Sequence, residues 1–145
     1  MGRASPDRMG GEARWKVAVV NDDPEFLALV NDVLEAEGPY EVFPFRDEAT
    51  SLAELRAVRP DLIVVDILLE ELPSGWELAL LAGADRELGP VPIIVVSPEL
   101  PALGRRVREL REVANVRVLP KPFTLEELGR AVHEALSTPP GHGRG

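Results

Sequence analysis

Residues 60–66 read PDLIVVD, and this stretch decides the fold class. Four consecutive apolar residues follow Pro and Asp, and the run ends in a carboxylate. Two further stretches, VAVV at residues 17–20 and VPIIVV at residues 91–96, are also apolar at nearly every position. A strand needs that composition when both of its faces are covered, as in a parallel sheet between layers of helices. The sequence therefore predicts the buried strands of a parallel sheet.

Five apolar runs alternate with segments of helical period. The predicted strands are Val17–Val20, Val42–Phe45, Leu62–Val65, Val91–Val96 and Val116–Leu119. Each run is followed by a helical segment, and crossovers between parallel strands are right-handed. The order therefore predicts an α/β fold with a doubly wound, five-stranded parallel sheet and helices on both faces. Ligands of such sheets bind outside the carboxyl ends of the strands, so we expect a functional site at that edge.

Start signals and apolar periods place the helices. Asp23-Pro24 predicts an N-cap with proline at the first helical position. Ser51 with Glu54 and Thr124 with Glu127 predict two capping boxes, and Phe123 with Leu128 predicts a hydrophobic staple. The first helix is predicted to place Phe26, Val30, Val33 and Glu37 on one side, with Leu34 widening the apolar stripe. In the third helix, from Gly75 to about Arg86, we expect Trp76, Leu80 and Ala84 to lie on one face. The fourth combines Leu103, Val107, Leu110 and Ala114, with four arginines off that stripe.

Length, charge and composition exclude several classes of protein. The chain has 145 residues, the size of one domain, and a formal net charge of −9, which disfavours nucleic acid as a direct partner. It has no cysteine, which excludes disulfides, thiolate metal sites and cysteine nucleophiles. No apolar run approaches the ~20 residues needed to span a bilayer, and the first residues lack the apolar core of a signal peptide. We expect a cytoplasmic protein without membrane contact, with flexible tails at 1–14 and 138–145 around one domain at 15–137.

Polar residues stand where the predicted strands end. Strand one runs into Asn21, Asp22 and Asp23, strand three into Asp66, strand four into Ser97, and strand five into Lys121-Pro122-Phe123. Carboxylates placed this close repel one another and require a cation, and oxygen ligands with retained waters suit Mg²⁺. A hydroxyl and an ammonium group at the same edge could hold the remaining oxygens of a phosphoryl group.

These residues resemble the receiver domains of two-component response regulators over about 16–136. VVNDDPEF resembles the acidic turn after the first strand, PDLIVVD the strand that ends in the phosphorylated aspartate, PIIVVS the strand with the Ser or Thr, and LPKPF the Lys-Pro-Phe loop. The resemblance implies the flavodoxin-like (βα)5 receiver fold. It also implies that Asp66 is the nucleophile and phosphate acceptor, that Ser97 hydrogen-bonds a phosphoryl oxygen, and that Lys121 pairs with another. Pro122 is expected to follow Lys121 through a cis bond.

The resemblance also implies a cofactor and partners. Mg²⁺ would be held by Asp22, Asp66 and the backbone carbonyl of Leu68, with Asn21 as a possible ligand through water. The phosphoryl donor would be a sensor histidine kinase or a phosphotransfer protein. Output would pass by protein contact to an effector, through the surface of the fourth and fifth helices, where Arg105, Arg106 and Arg108 could meet an acidic partner; a homodimer is a further expectation. The domain would be no enzyme beyond autocatalytic phosphorylation and dephosphorylation.

Four features depart from the family pattern. Asn21 stands where the first acid of the pair is usual, which should lower Mg²⁺ affinity. In the loop after Asp66, Glu70 replaces the usual proline and Gly75 comes one residue late. Pro98 removes a backbone N–H that helps to hold the phosphoryl group in the family. Val118 stands where the family carries a switching Tyr or Phe.

The departures leave two alternatives to a phosphoacceptor. The first is a degenerate receiver that acts as a phosphorylation-independent interaction module. The second is a flavodoxin-like enzyme that binds a nucleotide or flavin. Those folds cradle phosphate in a glycine-rich turn, whereas the turn here, NDDPEF, is acidic and has no glycine.

Overall fold

The computed structural model describes residues 14–21, 23–45, 52–66, 72–98, 103–112 and 115–137, with side-chain surroundings for all of these except 72–76, 98, 103, 104 and 106. The expected tails, beyond Arg14 at one end and beyond Ser137 at the other, lie outside the described residues. So does Ser51, the first residue of the capping box expected before the second helix.

Five strands and five helices alternate along the chain. They are β1 (Trp15–Val20), α1 (Pro24–Glu37), β2 (Tyr40–Phe45), α2 (Leu52–Val58), β3 (Leu62–Asp66), α3 (Leu72–Ala84), β4 (Ile93–Pro98), α4 (Leu103–Arg111), β5 (Val116–Lys121) and α5 (Leu125–Ser137). The strands form one sheet in the order β2-β1-β3-β4-β5, and every neighbouring pair is parallel. The predicted doubly wound α/β fold is confirmed.

Alternate residues of each central strand enter two separate cores. In β3, Leu62 and Val64 pack with α1 and α5, whereas Ile63 and Val65 pack with α2, α3 and α4. The same alternation holds in β1 and in β4. Successive side chains of a strand point to opposite faces, so a strand between two helix layers must be apolar at every position. This arrangement explains the continuous apolar runs from which the fold was predicted.

The predicted limits of the fourth strand and the third helix were wrong by two to three residues. β4 begins at Ile93 rather than Val91, since the Val91 N–H donates to the Leu88 carbonyl in a turn at 2.9 Å. α3 spans Leu72–Ala84 instead of starting at Gly75. It ends before Arg86 because the Asp85 side chain accepts from the backbone N–H groups of the following turn.

The predicted apolar faces of two helices were only partly right. In α1, Val30 and Leu34 are buried as predicted and Phe26 is half-buried against the core, but Leu27 is buried too and Glu37 is exposed. In α3, Leu78, Ala79 and Ala82 are buried, Leu80 is half-buried and Ala84 is exposed. Which side of an amphipathic helix turns inward depends on how it lies on the sheet, and a wide apolar stripe leaves that angle open. In α4, by contrast, Leu110 is buried and Arg105, Arg108 and Arg111 are exposed as predicted.

Two helix start signals take the predicted form. The Asp23 side chain accepts a hydrogen bond from the Glu25 N–H at 3.0 Å at the start of α1. At α5, the Thr124 hydroxyl oxygen accepts from the Glu127 N–H at 3.0 Å, and the Glu127 carboxylate accepts from the Thr124 N–H at 2.8 Å. These bonds satisfy N–H groups that have no partner within the helix. Within the described residues, no helix is long and apolar enough to cross a membrane.

Candidate functional site

The register of the sheet brings Asn21 and Asp66 together. Val20 in β1 lies beside Val65 in β3, so the residues that follow them lie side by side at the carboxyl edge. In the alternation of their strands, both residues fall on the side of the sheet that packs with α1 and α5. The Asn21 side-chain amide Nδ2 donates to Asp66 Oδ2 at 2.6 Å, across 45 positions of sequence. A hydrogen bond of that length to a charged acceptor is a strong one.

Lys121 reaches the same carboxylate from the edge of the sheet. Its Nζ lies 2.9 Å from Asp66 Oδ1, across the width of β4. Oδ1 is buried, and the Lys121 ammonium group lies within ion-pair distance of it. The Lys121–Pro122 peptide bond is cis, as expected.

The hydrogen bonds of Asn21 define which way its amide points. Its Oδ1 accepts from the Asp23 backbone N–H at 2.7 Å, while its Nδ2 donates to Asp66. The reverse orientation would set an amide NH₂ against a backbone N–H and an amide oxygen against a carboxylate, so hydrogen-bond chemistry excludes it. With 5% of its surface exposed, Asn21 is a buried polar residue. It acts both as the turn residue and as a direct partner of Asp66, a contact that the sequence did not indicate.

Ser97 and Pro98 lie at the same edge of the sheet, at the end of β4. Ser97 is 3% exposed and pairs in register with Pro120, and Pro98 pairs with Lys121. Val118, where the resemblance led us to expect a switching Tyr or Phe, is half-buried against the core that α2, α3 and α4 form with the sheet.

Several expected site residues lie outside the described residues. They are Asp22 and Leu68, expected as magnesium ligands, and Glu70 in the loop that follows Asp66. The Trp76 and Arg106 side chains belong to the same group. The structure thus brings together Asn21, Asp66 and Lys121, and it places Ser97 at the same sheet edge.

The Asp66 carboxylate has the chemistry of a magnesium ligand. Mg²⁺ prefers oxygen ligands and keeps several waters. The Asp66 carboxylate is of that type and is 12% exposed, so it retains some access to solvent. Each of its oxygens already faces a nitrogen of Asn21 or Lys121. No group of three or more acidic or histidine side chains that could hold a metal ion occurs within the described residues. Of the expected ligands, these residues include Asp66, whose carboxylate suits Mg²⁺, and Asn21, which brings no charge.

Comparison with known proteins agrees with this geometry. The family model of the response regulator receiver domain matches residues 17–133, well over half of the chain. The chain belongs to this receiver family. Receiver domains are signalling domains of two-component systems, and magnesium binding and phosphorylation are typical of them. The nucleotide- or flavin-binding alternative finds no support.

Individual relatives show how far the similarity extends. The nitrogen assimilation regulatory protein NtrX of Azorhizobium caulinodans is 33% identical over 128 residues, which are 84% of this chain and 26% of NtrX. The polar-differentiation response regulator DivK of Brucella anthropi is 38% identical over 81 residues, which are 56% of this chain and 64% of DivK. The chain thus spans about a quarter of NtrX and less than two thirds of DivK.

A solved structure supports the fold. The chemotaxis response regulator CheY4 of Vibrio cholerae superposes with a TM-score of 0.71 over 84% of this chain and 98% of that one, at 24% identity. The receiver fold, flavodoxin-like with five parallel strands, is therefore the fold of this chain.

Proposed function

We propose that this receiver domain takes a phosphoryl group on Asp66 and signals by protein contact. One observation carries the proposal: the Asp66 carboxylate lies at the carboxyl edge of β3, with the Lys121 ammonium group 2.9 Å from one oxygen and the Asn21 amide 2.6 Å from the other. Both partners hold the carboxylate in place at the sheet edge where ligands of doubly wound folds bind.

The reaction would be a transfer between two nucleophiles. An Asp66 carboxylate oxygen attacks the phosphorus of a phosphohistidine, the new bond joins that oxygen to phosphorus, and the phosphorus–nitrogen bond breaks. The imidazole leaves with the electron pair of that bond and takes up a proton. Lys121 moves from Oδ1 to a phosphoryl oxygen, and its charge offsets the negative charge that the transfer brings. The Ser97 hydroxyl is proposed to donate to another phosphoryl oxygen.

Magnesium is the proposed cofactor. Asp22, Asp66 and the backbone carbonyl of Leu68 would hold it, with Asn21 in contact through a bound water. When bound, the ion neutralises charge on the phosphoryl group and the carboxylates. The support is the oxygen chemistry of Asp66 and the magnesium binding that is typical of the family.

The proposed partners follow from the family and from one surface. Response regulators interact with histidine kinases and phosphotransfer proteins, and we propose such a protein as the donor. The effector would be an acidic protein that binds the surface of α4 and α5 through Arg105, Arg106 and Arg108. Support comes from the exposure of Arg105 and Arg108 on α4. We also propose a homodimer through this surface and a cytoplasmic location. No catalytic activity is proposed beyond phosphorylation and dephosphorylation of the domain itself.

Intact mass spectrometry after incubation with acetyl phosphate and Mg²⁺ tests the acceptor. We expect one phosphoryl adduct on the wild type and none on Asp66→Asn. Asp32→Asn makes the same change at an exposed carboxylate of α1 and should keep the adduct. Failure of the wild type to take a phosphoryl group, from acetyl phosphate and from a phosphorylated kinase alike, would instead favour an interaction module independent of phosphorylation.

A further inference from the structure

Asn21 makes a contact that the usual acid of this position could not make. A carboxylate at position 21 would put an oxygen where Nδ2 now lies, 2.6 Å from Asp66 Oδ2. Two ionised carboxylates at that separation repel each other, which is why paired acids recruit a cation. The Asn21 amide removes this repulsion and replaces it with a charge-assisted hydrogen bond.

The amide also cannot turn away without losing a second bond. Its oxygen accepts from the Asp23 N–H at 2.7 Å, and Asp23 in turn caps α1 through the Glu25 N–H at 3.0 Å. Asn21 is 5% exposed, so an unpaired amide there would carry the cost of a buried, unsatisfied polar group. The hydrogen bond to Asp66 is therefore coupled to the start of the first helix.

We propose that Asn21 is a positioning residue that holds Asp66 in place without a metal ion, and that its amide and a divalent cation compete for Asp66 Oδ2. The inference deepens the proposed function and rests on Asp66 being the acceptor. Without a metal the carboxylate keeps Asn21 and Lys121 as partners, so the fold of the site does not depend on Mg²⁺. Binding of Mg²⁺ has to break a short, buried hydrogen bond and is weak for that reason.

Asn21→Asp tests the competition with little change of shape. The new side chain keeps an oxygen to accept from the Asp23 N–H, and it replaces only the NH₂ group with a charged oxygen that faces Asp66. In EDTA we expect its melting temperature to fall several degrees below that of the wild type. With Mg²⁺ it should recover that loss, whereas the wild type should change little.

The Mg²⁺ concentration at half of the thermal shift gives the affinity. We expect Asn21→Asp to bind Mg²⁺ about ten-fold more tightly than the wild type, or better, since an added carboxylate ligand strengthens a cation site of this type. Asn31→Asp makes the same chemical change on α1 away from the site and should leave the response to Mg²⁺ as it is in the wild type. A wild type that is stabilised by Mg²⁺ as strongly as Asn21→Asp would overturn the proposal.

A measurement on the folded wild type covers the case in which Asn21→Asp does not fold in EDTA. The side-chain NH₂ signals of Asn21 in a ¹H–¹⁵N spectrum should move in Asp66→Asn, since the partner loses its charge. They should stay unchanged at Mg²⁺ concentrations that saturate Asn21→Asp. Movement of these signals at low Mg²⁺, or no response to Asp66→Asn, would contradict the inference.

These experiments use no phosphoryl donor, so they are independent of the acceptor test. A wild type without a phosphoryl adduct but with the expected Mg²⁺ pattern would refute the proposed function and leave the role of Asn21 standing. A phosphoryl adduct together with tight Mg²⁺ binding in the wild type would support the proposed function and refute the role of Asn21.

Discussion

Removal of the Lys121 charge should destabilise the protein through Asp66. Two unit charges 2.9 Å apart attract by about 1.4 kcal/mol at a dielectric constant of about 80 and by about 6 kcal/mol at about 20. The Asp66 side chain is 12% exposed and that of Lys121 is 32% exposed, which places the pair between a surface pair and a buried one. Surface pairs contribute about 0–1 kcal/mol, and breaking a buried pair costs about 3–5 kcal/mol, so we expect a coupling of about 2 kcal/mol.

A double-mutant cycle measures this coupling. Lys121→Met, Asp66→Asn and the double variant are unfolded with urea in EDTA, so that no metal ion compensates for the lost charge. Lys121→Met should lower the free energy of unfolding by about 2 kcal/mol more when Asp66 is present than when Asn stands at 66. The double variant keeps an amide that can still accept from Asn21, so the cycle isolates the ion pair.

Arg117, on the same strand as Lys121, and Glu134 of α5 provide a matched control. Their ion pair spans 3.9 Å, and the two side chains are 39% and 55% exposed. Its cycle, with Arg117→Met and Glu134→Gln, should give about 0–1 kcal/mol. A coupling between Lys121 and Asp66 below about 0.5 kcal/mol, or no larger than this control, would refute the reasoning that burial strengthens the pair.

Two further predictions concern stability away from the site. Thr124→Ala removes half of the capping box of α5 and should cost about 1 kcal/mol in urea unfolding, while Glu127→Gln, whose amide oxygen still accepts from the Thr124 N–H, should cost less; equal losses would contradict this account. The hydrogen bond from Arg56, and then the Leu88 N–H, lower the pKa of Asp85 from 3.8 to about 2. Because the folded pKa lies below the unfolded one, this stabilisation is present above pH 3.8 and is lost as the pH falls through about 2. Melting temperatures of the wild type should therefore fall more steeply over this window than those of Asp85→Asn, and parallel curves would exclude the contribution.

The strands and their polar ends could be predicted because the signals are local. The run from Leu62 to Val65 is apolar at every position, and Asp66 follows it directly. Such a run indicates burial on both faces, since a strand needs apolar residues on both faces only between two layers of helices. The capping box of Thr124 and Glu127 was predictable for the same reason, because its partners lie three residues apart.

The helix faces were predicted less well. Phe26 and Val33 have the right period to share the inner face of α1 with Val30, yet both are half-buried and Leu27 is buried beside Val30 instead. Residues 26–30 are all apolar, so the helix can rotate by tens of degrees and still turn an apolar face towards the sheet. The sheet and α5, against which α1 packs, decide between these rotations.

By itself, the sequence determined the order of strands and helices, the acid that ends the central strand, and the family of the chain. Tertiary structure alone decided that the Asn21 amide would turn its NH₂ group to Asp66 and that Lys121 would reach the same carboxylate across β4. Periods and caps depend on neighbours within a few positions, which a sequence displays directly. Contacts over 45 positions depend on strand order and register, which are set by packing of the whole sheet against its helices.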